Sequence, residues 1–322
     1  MSIRNLPIPE LFERAVDGDR RALGRLLTHI ERENEHAEPI AELAHPLAGI
    51  GHVVGITGAP GSGKSTLTGQ LVKLLGELGF RAAVLAVDPS SPLTGGAILG
   101  DRVRMEDVAS PETFIRSMAT RGHQGGLALA VPGVVRVLNA CGYNPVLIET
   151  VGVGQVEVDV AGTADTTVVV ATPGMGDGVQ ANKAGLLELA DLFVVNKADR
   201  PGANDVRRDL DLMLDLSHAT GQDQRTGLRP EIIMTSALTG EGAPEMWDAI
   251  VRHRDAIAEN GQLEQRRQDR DLVEVRNRLL VAAERRVDEL LADEQHADLL
   301  QRVGERSVAP ATAAAEIANA LD

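Results

Sequence analysis

Aromatic side chains are almost missing from this sequence: its 322 residues include four Phe, one Tyr and one Trp. Such a chain offers little on which the bases of a single strand could stack. Positive charge is also scarce, with 32 Lys and Arg against 47 Asp and Glu, and the formal charge of −15 opposes attraction to phosphate polymers and anionic lipid. Neither a nucleic acid nor a membrane is expected as a partner. A single cysteine, Cys141, rules out an internal disulfide and a Cys-rich metal site. Long apolar runs are absent too: none reaches the roughly eighteen residues that cross a bilayer, and the opening stretch MSIRNLPIPELFERAV has no apolar signal core. The expected location is the cytoplasm.

What the chain does have is aliphatic. Hydrophobic residues make up 43% of it, so the core must be built from Ala, Val, Leu and Ile, and a chain of this length buries about 75% of its unfolded surface. Leu11, Val16, Leu23, Leu26, Leu27 and Ile30 recur at helical spacing among charges, which predicts a pair of amphipathic helices ahead of the main domain, with Pro39 and Pro46 breaking the pattern. From His52 onward short β-branched runs alternate with amphipathic stretches: HVVGIT, RAAVLAVD, TFIRSMA, PVLIET, TTVVVAT, LFVVNKAD and EIIMTSA. Buried parallel strands with helical crossovers read this way, so the fold class is α/β with a mostly parallel central sheet. The links Pro89 to Met105, Gly152 to Gly162 and Pro173 to Gly185 are too long and Gly-rich for plain crossovers and are expected to bind or move. Beyond Trp247 the sequence turns charged and helical, with an apolar stripe of Leu272, Val275, Leu279, Ala283, Val287, Leu290 and Leu291 that either packs on its own domain or forms a seam between subunits. The predicted division is an N-terminal helical extension over 1–48, a central domain over 49–258 and a C-terminal helical region over 259–322.

The first strand runs straight into Gly58-Ala59-Pro60-Gly61-Ser62-Gly63-Lys64-Ser65-Thr66, which matches GxxxxGK[ST] between a strand and a helix. Here glycines let backbone N–H groups close around phosphates, the helix N-terminus adds its positive dipole, Lys64 reaches the β/γ oxygens and the Ser65 hydroxyl is placed for Mg²⁺. The base is read further on, at Asn196-Lys197-Ala198-Asp199, the NKxD pattern of GTPases. The Asp199 carboxylate accepts from guanine N1–H and the 2-amino group, neither of which adenine offers there. Asn196 is expected at the ring's other polar edge, and the Lys197 stem across its face. One strand later, Ser236-Ala237-Leu238 resembles the turn whose backbone N–H meets the guanine oxygen.

Between these motifs lie acids suited to magnesium and the γ-phosphate. Asp88 ends the strand RAAVLAVD, Asp101 lies in the glycine-rich stretch after it, and Glu149 ends the strand PVLIET, followed by Thr150-Val151-Gly152. The Gly152 N–H is placed to sense the γ-phosphate while the carboxylates work through Mg²⁺ or its waters. Val153 stands where Ras-like GTPases keep a water-orienting Gln, so slow intrinsic hydrolysis is expected. Arg102, Arg104, Arg116 and Arg121 read as surface or structural arginines rather than charge stabilisers.

In this order, ITGAPGSGKST, AVDPSSP, TGGAILGDRVRM, LIETVGVGQVEVDV, PGMGDGVQANKAG and VVNKADRPGA resemble the MeaB/ArgK family of SIMIBI-class P-loop GTPases over nearly the whole chain. The resemblance implies a G-protein chaperone that gates adenosylcobalamin loading of an acyl-CoA mutase, the expected client being methylmalonyl-CoA mutase. It further implies GTP hydrolysis that is slow alone and faster with the mutase, GTP and GDP as substrate and product with Mg²⁺, and no tightly held cobalamin. By the same resemblance Lys64, Asp88, Asp101 and Glu149 are catalytic, Ser65 joins the three acids at the metal, and Asp177, Gln180 and Lys183 form a loop coupling nucleotide state to the mutase. The C-terminal helices are the family's dimerisation arm, which favours a homodimer.

Other classes fit less well. A nickel metallochaperone needs thiolate and imidazole ligands, and Cys141 is alone while His29, His36, His45, His52, His123, His218, His253 and His296 form no cluster in sequence and read as surface or capping residues. A transport-system kinase, the family's older name, lacks HRD and DFG elements here. A cobalamin carrier needs DxHxxG, and the nearest string has Arg121 where the acid belongs. A nucleotide-dependent scaffold without turnover is the remaining alternative.

Overall fold

The computed structural model describes residues 6–49, 51–88, 110–119, 126–150, 161–174, 189–220 and 227–318. The chain divides into two compact units, 1–270 and 271–322.

The first unit is built on a seven-stranded, all-parallel sheet whose strands fall on the seven β-branched runs, β1 alone running one residue past its own: β1 Val53–Gly58, β2 Ala83–Asp88, β3 Phe114–Ala119, β4 Val146–Thr150, β5 Thr166–Ala171, β6 Leu192–Val195 and β7 Glu231–Met234, in the order β3-β2-β4-β1-β5-β6-β7. Alternate side chains point to opposite faces, and each face has its own cover. Val53, Ala83, Leu85, Val87, Val146 and Ile148 pack with the N-terminal helices α1 (Ile8–Val16), α2 (Arg20–Glu31) and α3 (Ala37–Ala44) and with α5 (Gly126–Ala140). Val54, Ile56, Val84, Leu147, Val168, Val170 and Val194 pack on the other face with α4 (Lys64–Glu77) and α7 (Ala243–Glu259), including Trp247. Val169, Phe193 and Val195 pack with α6 (Ala203–Thr220). Covering both faces is what lets parallel strands be continuously apolar.

Pro39 does not break a helix as its sequence suggests; it stands in the first turn of α3, where the N–H it lacks has no partner to lose. The edge strand β3 is tied to α2: Arg20 donates to the Pro111 and Thr113 carbonyls, and Arg116 to Glu31, Thr28 and the Gly24 carbonyl. Arg116 is thus structural, as expected. Cys141 is buried and its thiol is pushed up to about 12, which keeps it protonated and inert.

Below the strands lies a buried polar cluster. Asp165 pairs with the Val53 N–H through its side chain at 2.9 Å, and Asp191 does the same for Thr167 at 2.8 Å. Helix α8 (Gln262–Ala292) supplies the counter-charges: Arg266 grips both Asp191 oxygens at 2.8 and 3.0 Å, and Arg270 and Arg267 reach Asp165 at 2.7 and 3.3 Å. His52 Nε2 and His253 Nδ1 flank the Thr166 hydroxyl at 2.9 and 2.8 Å. Both histidines are buried, which corrects their surface or capping assignment.

In the second unit Leu290 of α8 packs with α9 (Ala297–Gly304) and α10 (Pro310–Ala318) through Leu299, Ala313 and Ile317. Leu272, Val275, Leu279, Val287 and Leu291 of α8 are exposed. No helix among the described residues is long and apolar enough to cross a membrane.

Burial alone would raise both aspartates. Instead Arg270 and Arg267 hold the Asp165 carboxyl below its ordinary value, and His253 Nε2 at 3.4 Å together with the Arg266 hydrogen bonds does so for Asp191. Their contribution is present above the unfolded value of about 3.9 and is lost as pH falls through the lower folded values. His52 acts earlier. Burial pushes it down to about 4, so the unfolded chain takes up its proton first and stability falls from about pH 6.5 towards 4, by roughly 3 kcal/mol in full. Urea unfolding across pH should show this decline, with His52→Gln removing the part above pH 4. Asp191→Ala, which leaves Arg266 with only the Asp165 carbonyl and the Thr167 N–H without its carboxylate, should cost about 3–5 kcal/mol at pH 7.

Candidate functional site

The site lies along the C-terminal edge of the sheet, where β1 delivers the phosphate loop, β2 Asp88, β4 Glu149, β6 Asn196 and β7 the 236–238 turn. Central β1 has β4 on one side and β5 on the other, so the chain reverses its winding direction there, the crevice in which open α/β sheets bind ligands.

Gly58 (φ +141°) leaves β1 so close to β5 that a Cβ would lie 2.3 Å from the Val170 carbonyl oxygen. Gly63 (φ +88°) precedes α4, and a Cβ there would lie 2.5 Å from Asn196 Nδ2. Between them run Ala59, Pro60, Gly61 and Ser62; Thr66 follows on the exposed side of α4. Lys64 opens that helix, with Nζ donating to the Gly58 and Ala59 carbonyls at 2.7 and 3.1 Å. The Ser65 hydroxyl donates to Glu149 Oε1 at 2.5 Å, which brings together two of the four residues expected at magnesium. Ser65 therefore offers a hydroxyl beside a buried carboxylate, the hard oxygen donors that suit Mg²⁺.

Asn196 is almost fully buried, and both the nitrogen and the oxygen of its amide bond to the protein. Its Nδ2 donates to the Ser62 carbonyl at 2.8 Å, and its Oδ1 accepts from the Ala237 N–H at 3.0 Å. The phosphate loop and the base-side turn are thereby joined. Lys197 adds a second tie, donating to the Gly61 carbonyl at 2.7 Å from a left-handed backbone of φ +59°, a strained state common at functional loops. Asp199 is exposed next to them, and Leu238 is exposed while Ser236 and Ala237 are buried. At Gly242 (φ +80°) a Cβ would meet the Met234 carbonyl at 2.1 Å, so only glycine closes this turn.

For Asp88 the backbone position at the end of β2 is described, not the side chain. Asp101, Gly152, Asp177, Gln180 and Lys183 lie outside the described residues. Among the described residues no three His, Cys, Asp or Glu gather in a metal-binding group.

Sequence spacing did not reveal the bridging use of Asn196 or the reach of Lys197 to Gly61. The available signal was the NKxD motif itself, read only for its base contacts. Gly63→Ala places a methyl against the Asn196 amide at an unfavourable φ, and should weaken GTP at least tenfold. Isothermal titration against wild type checks it.

The model of the family described as "Methylmalonyl Co-A mutase-associated GTPase MeaB" matches residues 23–294. A protein of Pyrococcus abyssi named as a GTPase is 44% identical over 308 residues, 95% of this chain and 94% of that one. The "Fused isobutyryl-CoA mutase" of Geobacillus kaustophilus is 38% identical over 221 residues, 66% of this chain and 20% of that protein. Among solved structures, one described as LAO/AO transport system kinase is similar at a TM-score of 0.71 and 27% identity, over 98% of this chain and 97% of that one. These relatives fit the P-loop architecture and the GTPase motifs. The chain is a GTPase and belongs to the MeaB family of methylmalonyl-CoA mutase-associated GTPases.

Proposed function

We propose that this GTPase gates the loading and protection of an adenosylcobalamin-dependent acyl-CoA mutase, with methylmalonyl-CoA mutase as the client. The observation that carries the reading is the Geobacillus relative, a protein named as a fused mutase in which a matching segment makes up a fifth of the length. A GTPase built into the same chain as a mutase works beside it at high effective concentration, and a separate chain of the same family takes that role by docking.

In this reading GTP binds with its phosphates in the loop Gly58 to Thr66 and its base between Asn196, Lys197, Asp199 and the backbone of Ser236, Ala237 and Leu238. Lys64 neutralises the β/γ oxygens. Ser65 would hold Mg²⁺ together with Asp88, Asp101 and Glu149, directly or through water, and the ion would supply further charge neutralisation at the transferring phosphate. Gly152 senses the γ-phosphate, and Asp177, Gln180 and Lys183 carry its loss to the mutase. Cobalamin is not held tightly by this chain. The predicted 259–322 arm, with Leu272, Val275, Leu279, Val287 and Leu291 exposed, favours a homodimer in the cytoplasm. A second reading comes from the solved structure described as a transport system kinase: transfer of phosphate to a protein instead of water.

Phosphate release measured with and without purified mutase should rise with the mutase. Release at the same rate with every adenosylcobalamin-dependent mutase tried would sink the client assignment, and ³²P appearing on a protein instead of in solution would favour the kinase. Asp199→Asn should weaken GTP by more than tenfold and strengthen xanthosine triphosphate, whose 2-oxygen complements the new amide donor. Titration of both nucleotides checks it.

A further inference from the structure

Gln70 stands on the second turn of α4 and belongs to none of the nucleotide motifs. Its Nε2 donates to the Ala237 carbonyl at 3.1 Å, bridging from the phosphate-loop helix to the turn after β7. Gly240 leaves room for this: a Cβ there would lie 3.2 Å from Gln70 Oε1, at a backbone φ of +82°. Within the turn the Ala237 N–H is already committed to Asn196 Oδ1. The next peptide unit is therefore held from the α4 side by Gln70 alone of these two residues.

A peptide group is planar and trans, so a carbonyl and the N–H of the following residue point in opposite directions. With the Ala237 carbonyl turned to Gln70, the Leu238 N–H is turned away from α4, in the turn whose Leu238 side chain is exposed. We propose that Gln70 is a positioning residue for base recognition: by holding the Ala237 carbonyl it aims the Leu238 N–H at the six-oxygen of guanine. The inference rests on the GTP-binding arrangement proposed above and deepens it, naming the donor and the residue that orients it. An N–H fixed in this direction attracts a carbonyl oxygen and repels an amine, so the same contact favours guanine over six-amino purines.

The test compares GTP with 2,6-diaminopurine riboside triphosphate, which keeps the 2-amino group, carries an amine in place of the six-oxygen and lacks the N1–H, a loss that weighs equally on wild type and variants because Asp199 is unchanged in both. Gln70→Met keeps the side-chain length and removes the donor; Gln70→Glu keeps the shape and replaces the donor with an acceptor. Both should weaken GTP about fivefold while leaving diaminopurine binding unchanged or improved, so the ratio of the two affinities falls by that factor or more. Equal loss for both nucleotides marks a purely structural role and overturns the inference, as does unchanged GTP affinity in both variants. Asp199→Asn is titrated in parallel with GTP and xanthosine triphosphate. If it switches preference while the Gln70 variants keep the wild-type ratio, the role of Gln70 alone fails; if Asp199→Asn changes nothing, the base-site reading fails and takes this inference with it.

Discussion

The amide of Asn196 joins the two ends of the nucleotide site. Its nitrogen holds the Ser62 carbonyl in the phosphate loop, 134 residues away in sequence, and its oxygen holds the Ala237 N–H in the turn beyond β7, 41 residues on. Only a side chain that is donor and acceptor at once, short and planar, serves both partners from one buried position. Removing it leaves a buried carbonyl and a buried N–H unpaired, which is worse than losing two ordinary hydrogen bonds. Lys197 repeats the tie from a strained backbone, through the Gly61 carbonyl. Nucleotide therefore meets a cradle whose halves are already in register, and less of its binding energy goes into ordering loops.

The strands that present this edge are gripped at their other ends as well. Asp165 and Asp191 stand immediately before β5 and β6, each completing the ladder of a neighbouring strand and each neutralised by arginines from α8. Buried ion pairs of this kind add little net stability compared with an apolar filling, yet they are costly to break. They therefore fix where β5 and β6 begin, and with them where Asn196 emerges at the top.

Much of this was legible in the sequence because buried parallel strands write themselves as short, continuous β-branched runs, and seven such runs became seven strands. The phosphate loop and NKxD were legible because their chemistry demands fixed residue types at fixed spacing. What escaped was any role set by convergence of distant segments. His52 and His253 look like isolated polar residues in sequence, yet both are buried and meet at the Thr166 hydroxyl. Arg266, Arg267 and Arg270 read as the solvated charges of a helix until Asp165 and Asp191 come underneath them. Gln70 reads as an ordinary polar helix residue. Pro39 misled in the opposite direction, since a proline that stops a helix interior is tolerated in a first turn.

If Asn196 joins the phosphate and base ends of the site, its loss must be felt by a ligand that has no base. Calorimetric titration of Asn196→Ala with Mg²⁺-GTP and with Mg²⁺-tripolyphosphate tests this most directly. Both ligands should bind more weakly than to wild type, tripolyphosphate by several-fold and GTP by more, about tenfold or beyond. Tripolyphosphate binding at the wild-type affinity, with only GTP weakened, would contradict the account, because Asn196 would then serve the base alone.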